Sequence, residues 1–238
     1  MLLPNKLEVQ VPILQSGQAD LVFCNGYLFG DNRPCRPIKK LLSLPSPVDI
    51  DSFVYCLSHG FGTESSLHRR TYLEKVKGFR ENLQGAQEAD LHIRLAIAGV
   101  RLYKVNDFLF KHRNHNDPTR ITWTKKPPGF MLDVLLGLLV FIEQDFSAEF
   151  TQARRDALAS RIFQNSIYAY RDGAEELAKA GFQQVKKIST SLNYHERSLY
   201  KFLANYLDPM LLEAFLKKAR VSRNSVQQLL NLKTTTSG

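Results

Sequence analysis

Cysteine is scarce in this chain and arranged in no recognisable pattern. Cys24, Cys35 and Cys56 are odd in number and lack C-x-x-C spacing, which argues against a disulfide framework or a structural zinc site and favours a reducing cytoplasm. The N-terminus lacks the charged start, apolar run and small-residue cleavage site of a signal peptide. A long hydrophobic run is missing too. Phe130–Ile142 is the most apolar stretch, but it contains Asp133. As a helix it reaches only about 20 Å against a hydrocarbon core of roughly 30 Å. It is expected to be a buried helix, with an in-plane membrane contact as the alternative. There is no Walker lysine motif, and Gly60-Phe61-Gly62 lacks the later glycine of a dinucleotide fingerprint. Ser65 and Ser66 lack the context of a nucleophile elbow.

Acidic residues are also in deficit. The net charge of +9 suggests affinity for anions such as nucleotide phosphates, acidic glycans or anionic lipid surfaces. Of the 32 lysines and arginines, 16 lie in residues 1–124 and 16 in residues 125–238, so no separate basic module marks a nucleic-acid binder. A basic helical nucleic-acid-binding protein would rest on charge alone, and that partner class is disfavoured.

The 238 residues suffice for one domain and a smaller appendage. Residues 1–124 read as α/β. Lys6–Gln15 is a helix that Pro12 should end or kink, and Ala19–Phe29 is a strand. Asn32–Pro47 is a proline-punctuated loop. Asp49 or Asp51 caps a helix through Ser58, and Ser65–His68 is a strand. Arg70–Val76 is a helix stopped by Gly78, and Glu88–Ala98 is a helix with Leu91, Leu95 and Ala98 as its apolar stripe. Arg101–Val105 and Phe108–His112 are strands. Beyond Pro127-Pro128-Gly129, residues 125–238 read as α-helical, with helices near 130–145, 148–171, 174–190, 196–206, 209–219 and 222–231. The aromatic residues of these helices are expected to be core.

Several spaced segments then carry a resemblance. They are Ser65-Ser66-Leu67-His68-Arg69-Arg70, Leu73-Glu74-Lys75-Val76, Gly78-Phe79-Arg80-Glu81, Gln87-Glu88-Ala89-Asp90-Leu91-His92-Ile93-Arg94-Leu95, and His112-Arg113-Asn114-His115. Leu3-Pro4, Lys6-Leu7-Glu8 and Ala19-Asp20-Leu21-Val22 fit the same order. Together these resemble the distal half of a family 2 glycosyltransferase with the GT-A fold, over about the first half of the chain. The resemblance implies a partial GT-A-like sheet with flanking helices in residues 1–124, followed by the helical region. It also implies a nucleotide-binding half, with its Asp-x-Asp metal motif, that precedes Met1.

The resemblance further implies the site. Inverting transfer needs a base for the acceptor hydroxyl, and the family's base, normally an aspartate just before a helix, matches Glu88. Here Gln87 fills the preceding acidic slot. Asp90 is the second catalytic candidate, although acids in a first helical turn also suit the helix dipole without doing chemistry. Arg94 reads as an ion-pair or shape-fixing residue. His115, rather than His112, matches the histidine that completes the shell of a divalent Mg or Mn ion, and Arg113 and Arg120 are candidates for phosphate contacts. A solvated surface is the competing reading for these three.

The expected function is inverting transfer of a sugar from a nucleotide-diphosphate sugar to a hydroxyl on a glycan or lipid-linked acceptor. Activity is expected to need a separately supplied N-terminal half, so this chain alone should be weak or inactive. The place of action is the cytoplasm, including the inner face of the membrane. The alternative is an inactive remnant serving as a binding or scaffold protein.

Overall fold

The longest apolar strand, β1 (Leu21–Gly30), is the centre of a mixed four-stranded sheet. On one side it pairs antiparallel with β2 (Arg33–Pro37) at its C-terminal end and with β3 (Leu67–His68) at its start. On the other side it runs parallel to β4 (Leu102–Asn114), from Leu21↔Leu102 to Gly30↔Asn114. The computed structural model describes residues 1–30, 33–115, 125–189 and 208–216. Leu21, Val22, Phe23 and Cys24 are fully buried, as both faces of a covered strand require.

Two expectations change here. The Asn32–Pro47 loop contains strand β2 and a short helix α2 (Lys39–Leu42). Proline is tolerated in β2 because this is an edge strand, where one side of the backbone needs no ladder partner. The two expected strands at 101–112 are a single strand. Its register slips where Cys24↔Val105 is followed by Asn25↔Phe108, so Asn106 and Asp107 bulge out. Asn25 Nδ2 donates to the Asn106 carbonyl at 2.7 Å and holds that bulge.

Helix α1 (Lys6–Gln15) continues past Pro12 rather than ending there. Met1–Leu3 runs antiparallel along β4, with Leu2 opposite Phe110. Helix α3 (Ser52–Ser58) is capped by Asp51, whose Oδ1 accepts from the Phe53 and Val54 N–H groups at 3.0 and 3.1 Å. Helix α4 (Arg70–Lys75) ends at Lys77 and Gly78, both with positive φ, and the Gly78 N–H returns to the Leu73 carbonyl. Helix α5 (Gln87–Ile97) was expected to bury one stripe, yet every residue from Asp90 to Ile97 is buried, His92 and Arg94 included. It is a core helix with solvent only at its first turn.

Helices α6 (Phe130–Asp145), α7 (Gln152–Arg171) and α8 (Glu175–Ile188) fall where the helical period places them, and residues 209–216 are helical as well. The helices expected at 196–206 and 222–231 lie outside the described residues. The chain forms two units, Met1–Lys126 with Val134–Leu158 and Pro127–Asp133 with Ala159–Gly238. Within the second unit Phe163 meets Phe182 edge-on, and the sealed Glu213 carboxylate takes both arms of the Arg171 guanidinium at 2.9 Å. No helix among the described residues is long and apolar enough to cross a membrane.

Candidate functional site

The first turn of α5 carries two carboxylates in contrasting surroundings. Ala86 precedes it in the left-handed region, at φ 57°, and offers no side-chain cap. The acids of that turn, Glu88 and Asp90, stand where the helix dipole favours negative charge. Glu88 is half-buried, and among the described residues no polar partner engages its carboxylate. Asp90 is sealed and fully engaged. Arg80 Nη2 donates to its Oδ1 at 2.5 Å, and Arg94 Nε donates to its Oδ2 at 2.8 Å.

Arg94 fixes more than Asp90. It donates to the Val76 carbonyl at 2.6 Å and to the Gly78 carbonyl at 2.7 Å, and its guanidinium lies 5.6 Å from the Phe141 ring centroid. The positive-φ turn of Lys77 and Gly78 aims those carbonyls inward. The Gly-Phe-Arg-Glu segment is thereby tied to α5, with Arg80 reaching back from it to Asp90. With both oxygens held by guanidinium groups, Asp90 is suited to fixing the turn.

A column of rings runs beneath this turn. Phe23 stacks on Phe61 at 4.3 Å, Phe61 on His92 at 4.2 Å, and His92 on His68 at 5.5 Å. Both ring nitrogens of His92 and Nε2 of His68 are buried without a hydrogen-bond partner among the described residues. Burial pushes His92 down to about 3, helped by His68, and His68 down to about 4, helped by the Lys6 charge. Both imidazoles are neutral at pH 7 and serve as aromatic core. Local pattern marks neither, because a histidine within an apolar helix or strand looks like any polar interruption.

Buried Lys6 was also missed. Its Nζ donates to Gln10 Oε1 at 2.6 Å and to the Ser65 carbonyl at 2.9 Å, and Gln10 donates to the Val22 carbonyl at 3.2 Å. This pins residue 65, and Glu64 beside it pairs with His112 Nδ1 at 2.8 Å. The signal was the i, i+4 spacing of two polar residues on an otherwise unremarkable short helix.

Two other predicted site residues lie at the carboxyl end of the parallel pair. Arg113 is exposed in β4, opposite Phe29, and half-buried His115 follows the strand. Arg120 lies outside the described residues. Among the described residues no group of three or more His, Cys, Asp or Glu side chains is placed to hold a metal ion. His115 alone does not fit a divalent ion. Asp49-Ile50-Asp51 has the Asp-x-Asp spelling, but one Asp51 oxygen caps α3 and the other accepts from Arg154 at 2.8 and 3.0 Å. It is a structural cap.

No protein-family model matches this sequence, and no curated protein does. Solved structures that match in fold include residues 1–349 of TarS from S. aureus in complex with UDP-GlcNAc. The likeness has a TM-score of 0.55 at 12% identity and covers 79% of this chain and 57% of that one. This chain thus spans little more than half of that neighbour's length, and identity at that level speaks for fold. The protein has an α/β fold with a partial GT-A-like sheet, flanking helices and C-terminal helices.

Proposed function

We propose that this chain is the acceptor-side part of an inverting, family 2 type glycosyltransferase, with Glu88 as its base. The observation that carries the reading is the contrast within one helical turn, where Glu88 is half-buried with no polar partner among the described residues while Asp90 is locked by two arginines. Glu88 takes the acceptor hydroxyl proton as that oxygen attacks the anomeric carbon, and the bond from that carbon to the nucleoside diphosphate breaks on the opposite face. The configuration inverts because attack and departure are in line. Glutamate reaches one methylene farther than the family's usual aspartate, and the rigid turn beneath it keeps that longer arm usable.

The donor is a nucleotide-diphosphate sugar, and the acceptor is a glycan or lipid-linked hydroxyl on the cytoplasmic side. No cluster of carboxylates for a divalent ion is present among the described residues. Arg113 in β4, and Arg120 outside the described residues, are the candidates for phosphate contact.

The test is release of nucleoside diphosphate from a panel of nucleotide sugars, followed by chromatography with manganese or magnesium present. The chain is assayed alone and together with a polypeptide carrying the donor half. Turnover only in the mixture supports the proposal. No turnover in either case, with tight binding of an acceptor glycan, would instead favour the scaffold alternative.

A further inference from the structure

The segment from Arg33 to Val48 contains four cations, Arg33, Arg36, Lys39 and Lys40, and not one aspartate or glutamate. Arg36, Lys39 and Lys40 are exposed. Close behind them in the chain, Leu42 and Val48 are 46% and 65% exposed. The segment is nevertheless fixed in place. Leu41 and Leu44 are buried, Lys104 Nζ donates to the Leu44 carbonyl at 2.8 Å, and the Tyr55 hydroxyl donates to the Pro45 carbonyl at 3.0 Å.

Protection of an edge strand accounts for part of this composition, since arginine and proline in β2 discourage pairing with another chain. It does not account for Leu42 and Val48, which lie beyond the strand and would add to stickiness. Cations beside exposed aliphatic side chains are what an anionic bilayer recognises, with headgroup phosphates meeting the charges and the apolar groups entering the acyl boundary. A single-stranded nucleic acid is a poorer match, because residues 33–48 contain no aromatic side chain on which a base would stack. Helix α6, the other apolar stretch, buries Leu132, Val134, Leu135, Leu138, Leu139 and Ile142, so its hydrophobic face is already used.

We propose that residues 36–48 form a docking strip for an anionic lipid surface, with Arg36, Lys39 and Lys40 as its charged part and Leu42 and Val48 as its apolar part. The strip does not depend on the catalytic reading, and its test involves no turnover.

The experiment is co-sedimentation of the chain with phosphatidylcholine vesicles that contain or lack phosphatidylserine. Binding should require phosphatidylserine and weaken as salt is raised. The triple variant R36A/K39A/K40A should lower the partition coefficient roughly a hundredfold, at about fivefold per near-surface cation. K125A/K179A/K187A removes the same charge from exposed positions elsewhere and should change it little. L42S/V48S should weaken the binding that remains at high salt. The proposal is overturned if pure phosphatidylcholine binds equally well, or if the two triple variants lose binding to the same extent. Unchanged binding of L42S/V48S would remove the apolar half of the strip.

Discussion

The Asp90 carboxylate and the Arg94 guanidinium, one turn apart on α5, meet at 2.8 Å with 0% and 1% of their side chains exposed. Removing one partner of a buried pair leaves a charge stranded in the core. Arg94→Ala, which also frees the Val76 and Gly78 carbonyls, should therefore cost about 3–5 kcal/mol. Glu88→Gln touches a half-open carboxylate with no partner among the described residues and should stay within about 0.5 kcal/mol. Urea denaturation of the two variants checks the contrast. Equal destabilisation would show that Glu88 is as structural as Arg94.

The His92–His68 stack predicts a pH dependence with a definite sign. Both groups have folded values below the unfolded 6.5, so the unfolded chain binds more protons beneath that pH. Stability should therefore fall as the pH drops from about 6.5 toward 4 and continue to fall to about 3. Asp20 and Asp51 add to the loss only at lower pH. Burial alone would raise both, but hydrogen bonds from Arg101 and Arg154 outweigh it and hold them below the usual carboxylate value. His92→Phe keeps the ring stack and removes a buried imidazole with two unsatisfied nitrogens. Scanning calorimetry should show it more stable at pH 7 by about 1–3 kcal/mol and less sensitive between pH 6.5 and 4. An unchanged pH profile would mean the imidazole finds a proton partner in solution.

Gly26 lies opposite Phe110 in the β1–β4 pair, and a Cβ at this position would overlap the Phe110 ring. Since Phe110 is buried and has little room to move, Gly26→Ala should destabilise by about 1–3 kcal/mol. The companion change Phe110→Leu should recover part of that loss. Thermal melts of the single and double variants measure the coupling, and simple additivity would contradict the packing assigned here.

Helices were legible where a 3.6 period met a stop signal, as with Gly78 after α4 and the run from Phe130 into α6. Strand pairing was not. The prolines of β2 hid an edge strand, because whether a residue needs its N–H depends on which side faces a neighbour. The bulge at Asn106–Asp107 looked like the end of one strand and the start of another. At the site, the expectation that Arg94 fixes shape agrees with its contacts, whereas the partner Arg80 and the ring column beneath were invisible. Tertiary contacts such as Phe61 on His92 join residues that no local pattern connects.

Transfer rates of Glu88→Gln and Glu88→Asp, measured side by side in the presence of a polypeptide that supplies the donor grip, test the base assignment most directly. A positioned base contributes about 10²–10⁴-fold, so Glu88→Gln should lose that much while Glu88→Asp keeps the function within roughly tenfold. A Glu88→Gln protein that transfers sugar at the unmodified rate would contradict the account.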